Sequence, residues 1–510
     1  MMQNNKRFFP NKLPLAAAVT AAIMATPAIA VEFHGYARSG LSTNTSSGGE
    51  QTCFGSGANG HFVGRLADEC DTYAELAFGD QLFSQDGKTF RFDSMVSYEA
   101  INQGNDYQAF DGADDVNGVD FAGEETTRNN GNPYSGGEVA VRQLYVSGTN
   151  VIESLPGATL WAGKRYYKRH DVHQLDLYYI NNSGYGAGVE NIQAGAGQFS
   201  AAWINFDKQE SDTIVQNNKL DLRYAFPVGE STLTLAGIYG MADLTDEQEA
   251  ADIMDEDGFF GTVELATGFM GGFNKFVLQY ATDSLGEAAF NNQGGNSSLN
   301  GPYYPGTLEK SWRVLNHGVI KLGGPWELGY SALYSKGETY GPINEEEPTR
   351  LSVVARPIYN WNSVTSTALE IGYEDVHQPY NDEETDLQKV AIAQQWSAGP
   401  GYWARPVIRA YAAAFFGDQA EAAPDDVIAR FLEGRHVGET GIAFVGHHAQ
   451  NPGLTGLDGC IGGRDAGRSG IGFTRQKRLA LRARPFGVGD VLHVDLCLRG
   501  EIQRGQVPHA

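Results

Sequence analysis

The chain has 510 residues and a net charge of −25 at pH 7, with 64 Gly, 24 Tyr, 26 Phe and only 4 Cys. So acidic a balance excludes nucleic acid as a partner. A long chain that is Gly-rich and aromatic yet only 41% hydrophobic has the composition of a large β protein in which alternate residues meet an apolar phase.

Residues 1–30 read as a secretory signal. Lys6, Arg7 and Lys12 form a basic start, Leu15 to Met24 a short apolar stretch, and Ala28-Ile29-Ala30 a small-residue cleavage site. The apolar stretch is too short to span a bilayer as a helix, and no later one is long enough. Export leaves a periplasmic protein, a secreted protein or an outer-membrane β-barrel.

The mature chain opens with VEFHGYARS, Val31 to Ser39. As a strand it places Glu32, His34, Tyr36 and Arg38 on one face and Phe33, Gly35, Ala37 and Ser39 on the other. Tyr36 thus joins the charged row, whereas a membrane strand normally turns its rings to lipid. The same inversion recurs along the chain and predicts a polar channel lined in places by aromatic rings.

Cys53 and Cys70 follow in a polar, Gly-rich segment. An exported protein favours a bridge over two unrelated thiols, and the closed loop would contribute roughly 3 kcal/mol in the chain-entropy view. Thr72 to Phe78 then alternates, with Ala74, Leu76 and Phe78 opposing Tyr73, Glu75 and Ala77. From Phe90 to Glu99 the apolar row is Phe90, Phe92, Val96 and Tyr98, against Arg91, Asp93, Ser97 and Glu99. Segments of this kind, separated by Gly/Asn/Asp-rich turns, run from Val31 to about Phe416. A soluble β-sandwich shares the period, but the signal sequence, the length and the charged inner rows favour a membrane barrel.

Lys164 to Asp176, KRYYKRHDVHQLD, breaks the alternation. Charges on both parities exclude a strand with one face in lipid, where each Lys or Arg at mid-depth costs about 2–4 kcal/mol. The segment is therefore expected to be a loop, outside the membrane or folded into the lumen. His170 and His173 have the spacing of a metal pair, but no third and fourth ligand is evident, and no metal is expected. Further on, Phe276, Leu278 and Tyr280 oppose Phe273, Lys275, Gln279 and Asp283, and Trp403, Arg405 and Arg409 oppose Ala404, Ile408 and Ala410. The acidic runs Asp243–Glu249 and Glu345–Glu347 read as solvated extracellular loops.

Several long strings carry a resemblance. HGYARSG (34–40), the Cys53/Cys70 spacing, LPGATLWAGKRYYKRHDVH (155–173), GFNKFVLQYATDS (272–284), RPIYNW (356–361), EIGYEDV and AQQWSAGPGYWARPVIR (393–409) resemble the maltoporins, sugar-specific porins of Gram-negative outer membranes. The resemblance implies an all-β fold, an 18-stranded antiparallel transmembrane β-barrel with an inward-folded constriction loop, assembled as a homotrimer in outer-membrane lipid. It implies passage of maltose and maltodextrins along a lane of rings at Tyr36, Tyr73, Phe273 and Trp403, with Tyr107 as the aromatic on the second loop. Arg38, Arg65, Glu75, Arg142, Arg169, Asp171 and Asp176 match the flanking hydrogen-bonding residues, and Tyr178 helps set the constriction. The chemistry is consistent, because a pyranose has apolar C–H faces and polar rims. A periplasmic maltose-binding protein and a phage are the further partners considered, and no cofactor is expected. A porin for another oligosaccharide, such as sucrose, is the alternative within the class. An exported carbohydrate-active enzyme is the alternative outside it, and it would need a carboxylate pair across a glycosidic bond.

The barrel is expected over residues 31–444. Residues 445–510 depart from it: they are Arg-rich, contain Cys460 and Cys497, and end Pro508-His509-Ala510 rather than in an aromatic strand. RQKRLALRAR (475–484) could form a basic surface helix. The reading preferred for the tail is out-of-frame or unselected sequence, because neither pattern nor charge continues the barrel.

Overall fold

The computed structural model describes residues 32–40, 42–44, 53–55, 60–69, 71–101, 118–119, 125–126, 138–206, 216–250, 256–291, 294, 307–340, 347–377, 384–421, 441–445 and 496–499. The expected signal sequence, Tyr107, Cys70 and most of the tail lie outside these residues.

Seventeen long strands follow one another in a single antiparallel sheet. They are β1 (Glu32–Arg38), β2 (Asp71–Gln85), β3 (Lys88–Ile101), β4 (Glu138–Thr149), β5 (Thr159–Val172) and β6 (Leu177–Ala194). Then come β7 (Gly197–Phe206), β8 (Gln216–Val228), β9 (Ser231–Asp243), β10 (Gly258–Phe269), β11 (Gly272–Thr282) and β12 (Leu308–Gly323). The last are β13 (Trp326–Thr339), β14 (Thr349–Asn360), β15 (Thr365–His377), β16 (Glu384–Ser397) and β17 (Val407–Phe416). The expected eighteenth long strand is not among the described residues. Two short pieces occupy its row. Gly441–Val445 pairs with β17 and with Ser42–Asn44, and Leu496–Arg499 pairs with β17 and β1.

β16 shows why the sheet belongs in a membrane. Val390, Ile392 and Trp396 point outward, with Ile392 51% exposed, while Lys389 on the opposite face is 0% exposed. A soluble sheet would bury the isoleucine and expose the lysine. This inversion separates a lipid-facing barrel from a soluble sandwich, and it follows from the sequence period alone.

Outward rings gather at two levels. Tyr239, Phe259, Tyr280, Trp312, Tyr334 and Tyr373 sit at the ends that lead into long connections, and Trp326, Trp361 and Trp396 at the ends joined by short turns. Trp326 and Tyr334 share one strand and lie about 26 Å apart along it. That distance is comparable to the hydrocarbon band that such girdles bracket, about 25 Å. The short-turn side is the periplasmic one by the same rule.

Three segments from the long-loop side fold into the lumen. One is 60–69, the second is the tip of the β5–β6 ribbon, and the third is 283–291, which begins with a 3-10 helix at Asp283–Ala289. The ribbon lies on an internal core of Val172, Leu175, Leu177, Tyr179 and Ile180 packed against Phe62 and wall residues such as Val277, Leu315 and Leu333. Apolar side chains therefore fill the space between ribbon and wall, and the open lumen is what remains on the ribbon's other side.

Candidate functional site

The ribbon corrects one expectation and keeps another. Lys164 to Val172 is hydrogen-bonded strand, not irregular loop, and it does enter the lumen. The β5–β6 ladder runs regularly to Tyr167–Asn182, then shifts register at His170–Ile180 and again at Val172–Leu177. Lys168 and Asp176 adopt left-handed φ of 41° and 52°, which breaks the ladder and turns the tip inward. Charges on both parities carry no penalty here, because neither face meets lipid.

Buried cations of the wall hold the ribbon's backbone. Arg223, paired with Asp221, donates to the carbonyls of Tyr167 and Lys168. Farther along, the carboxylate of Glu264 accepts from Tyr179 Oη at 2.7 Å, contacts His170 Nδ1 at 2.6 Å, and lies 3.4 Å from Lys275. His170 is thus a ribbon anchor, and among the described residues no group of three or more His, Cys, Asp or Glu could hold a metal ion.

At the outer end of the constriction Tyr36 and Tyr73 lie 6.2 Å apart on β1 and β2. Arg38 donates to both carboxylate oxygens of Asp71 at 2.8 and 2.6 Å, lies 3.2 Å from Glu69, and sits 5.4 Å from the Tyr73 ring. Arg65 engages all three guanidinium nitrogens: Glu69, Asp176 Oδ1 at 3.2 Å, the His173 carbonyl, and Tyr36 Oη at 3.1 Å. Burial pushes the carboxyls of Glu69 and Asp176 up, but Arg65 and Arg38 outweigh it and hold both below the usual carboxylate range. This network is closed upon itself.

Beside it, Tyr73 donates to Glu75 at 2.7 Å and Tyr166 to the same oxygen at 3.3 Å. Arg142 donates to Tyr166 Oη. Arg169 lies between two rings, 3.6 Å from the centroid of Tyr166 and 4.4 Å from that of Tyr178. It has no hydrogen bond or ion pair to protein among the described residues. Asp171 is exposed on the ribbon, two residues further on.

At the periplasmic end Phe273 and Trp403 lie 6.5 Å apart with planes tilted by 30°. His173 on the ribbon is 5.4 Å from Trp403, and the buried Tyr402 is 4.8 Å from it. Trp403 and Arg405 are not on a strand, as the alternating pattern suggested. They lie in the turn before β17, which starts at Val407. The Tyr402 N–H bonds to Glu327 at 2.8 Å and fixes this turn.

The structure thus brings together Tyr36, Tyr73, Arg38, Arg65, Glu75, Arg142, Arg169, Asp176 and Tyr178 at one level, and Phe273 and Trp403 at another. Cys53 is disulfide-bonded, and Cys70 and Tyr107 are outside the described residues. Sequence reasoning missed Glu69, Asp71, Tyr166 and Glu264, and weighed His173 only as half of a metal pair, whereas it packs on Trp403. The acidic run Asp68-Glu69 and Asp71 was a usable signal for the first two, since it flanks Cys70 and must fold near β1.

The family model described as LamB porin matches residues 31–444. The chain belongs to the LamB porin family. The curated maltoporin of Hahella chejuensis (strain KCTC 2396) is 41% identical over 414 residues, covering 80% of this chain and 92% of that protein. Among solved structures, the Salmonella typhi OmpF complex with daunomycin aligns with a TM-score of 0.41 at 13% identity, covering 71% of this chain and 95% of the other. Pseudomonas aeruginosa OccK10 (OpdN) aligns with 0.40 at 9% identity, covering 81% and 96%. Likeness at that level bears no weight on the fold. This porin is an outer-membrane channel of the Gram-negative type.

Proposed function

We propose that the porin is a passive channel for maltose and maltodextrins, working as a homotrimer. The observation that carries this reading is the pairing of rings on either side of the ribbon, Tyr36 with Tyr73 outside and Phe273 with Trp403 toward the periplasm. Glucose units would stack on these rings by their C–H faces. Between the pairs, Arg169 and Arg142 offer donors and Glu75 an acceptor to the hydroxyls, while Asp171 lines the approach. Arg38, Arg65 and Asp176, already engaged with one another, shape the wall, and Tyr178 narrows it. Each contact is weak and repeated, which suits passage rather than capture.

In the same reading residues 1–30 are a cleaved signal, 31–444 the barrel and 445–510 a tail that does not supply a regular closing strand. Cys53 pairs with Cys70. The match of the family model to 31–444 supports those limits.

The test is ion-current block in a planar bilayer with a panel of sugars. Maltooligosaccharides should block reversibly, and more strongly up to a few glucose units. Equal weak block by every sugar would leave a general porin. Strongest block by sucrose would move the substrate within the class, and product formation without block would favour an enzyme.

A further inference from the structure

Three side chains on β14 to β16, the stretch of wall that β17 separates from the row beside β1, do not touch the pore. Arg356 on β14, Glu370 on β15 and Lys389 on β16 are all buried, with Glu370 and Lys389 at 0% exposure. Glu370 accepts from Arg356 Nε at 2.6 Å and lies 2.9 Å from Lys389 Nζ. The triad grips the backbone of the inward segment 60–69. Lys389 donates to the carbonyls of Gly64 and Leu66, and Glu370 accepts from the Leu66 N–H at 2.9 Å. Gly64 has φ +91°, and a Cβ there would lie 2.5 Å from the Glu370 carboxyl. The contact therefore requires glycine at that position.

Between the two gripped residues stands Arg65. Its N–H donates to the ribbon's Gln174 carbonyl at 3.0 Å, and its guanidinium reaches away from the triad to Tyr36 and Asp176. A second branch leaves the triad on the other side. Arg356 sits 5.5 Å from the ring of Tyr402, which packs on Trp403. The same buried group thus reaches a ring at each end of the constriction.

We propose that Arg356, Glu370 and Lys389 are positioning residues that set the constriction from behind, through Arg65 to Tyr36 and through Tyr402 to Trp403. The proposal rests on the sugar-path reading above. Burying three charges in a wall is costly unless they are paired and bonded. Here the bonds go to loop backbone, so the arrangement fixes position rather than pore charge.

The test is a double-mutant cycle on maltotriose block in the reconstituted full-length pore. Lys389→Met should weaken block roughly 3- to 10-fold, and in an Arg65→Ala background it should add little, because Lys389 bonds the segment that carries Arg65, whereas the Tyr402 branch leaves from Arg356. Effects that multiply, or a silent Lys389→Met beside an active Arg65→Ala, would overturn the clamp and leave the sugar path standing. If Arg65→Ala itself leaves block unchanged, the role of Arg65 in shaping the wall of the sugar path fails first, and the clamp with it. Should Lys389→Met fail to assemble, Glu370→Gln keeps an acceptor oxygen for Leu66 and goes through the same cycle with the same criteria.

Discussion

Arg169 offers the sharpest test of the sugar path. Its guanidinium carbon lies close to the rings of both Tyr166 and Tyr178, and its N–H groups have no hydrogen-bond or ion-pair partner among the described residues. A sugar hydroxyl accepting from such an N–H forms a hydrogen bond to a charged donor, a class worth about 1.5–3 kcal/mol. The site is half-buried and water competes, so the lower end applies: about 1.5 kcal/mol, or roughly tenfold in Kd. Arg169→Ala should therefore weaken maltotriose block about tenfold and also shift ion selectivity, since a lumenal charge is lost. Arg169→Lys keeps the charge but loses the planar group and its fixed fork. It should restore most of the ion selectivity and little of the sugar affinity. Noise analysis of sugar block, with reversal potentials in a salt gradient, reads both quantities on one preparation. If neither variant moves the sugar affinity beyond about twofold, a factor worth less than a single hydrogen bond, the assignment of Arg169 as donor is wrong.

Other outcomes follow from the same geometry. Trp403→Ala and Phe273→Ala should each weaken sugar block by about 1 kcal/mol, several-fold in Kd, with ion conductance largely kept; unchanged affinity would remove these rings from the path. Arg65 and Arg38 hold the Asp176 carboxyl below its ordinary value of about 4. A depressed pKa in the folded state means that its contribution is complete above the unfolded value and is lost as pH falls through the folded one. The difference in cation selectivity between the wild-type pore and Asp176→Asn should accordingly stay constant from neutral pH down to about 4 and disappear only below it; loss between pH 6 and 5 would show that the ion pairs do not form. Replacing residues 446–510 by a strand of about ten alternating residues ending in an aromatic should raise the yield of heat-stable trimers, since an irregular seam leaves backbone groups unpaired in lipid; efficient trimers from the unmodified chain would refute this.

The wall was largely legible in the sequence, and the constriction was not. Along β2 the reading that turned Leu76 and Phe78 to lipid and Tyr73 and Glu75 inward matches the observed exposures. Lipid makes the period-2 pattern strict, because a charge on that face is costly. Inside the lumen no such rule operates. The stretch Lys164–Val172 could therefore be strand while carrying charges on both faces. Trp403 shared parity with Arg409 by accident of spacing, for it lies in a turn before the strand. Partners at the constriction come from distant parts of the chain, as His170 meets Glu264 and Arg65 meets Asp176. Spacing along one chain carries no information about such pairs. The resemblance supplied names for the residues at the constriction, but not the distinction between arginines engaged with protein and those with donors to spare.

That distinction changes how the lumen's charge should be understood. The wall carries many cations, and several are bound to the loops that fold inward. Arg223 holds the ribbon at Tyr167 and Lys168, Lys389 holds Gly64 and Leu66, Arg350 bonds to the Phe290 carbonyl, and Arg313 to that of Asn291. A polar lumen poses a packing problem that an apolar core does not, since its loops bring backbone carbonyls that water cannot all reach. Buried cations on the strands meet that need and fix the loops at once. Arg38 and Arg65 are then neutralised by Glu69, Asp71 and Asp176. Arg169 and Arg142 are left beside the aromatic rings, with no carboxylate in direct contact among the described residues. A channel lined by many free arginines would hold a polyhydroxylated solute at each of them. Restricting free donors to a short stretch between two stacking surfaces keeps the residence time short and leaves orientation to the rings.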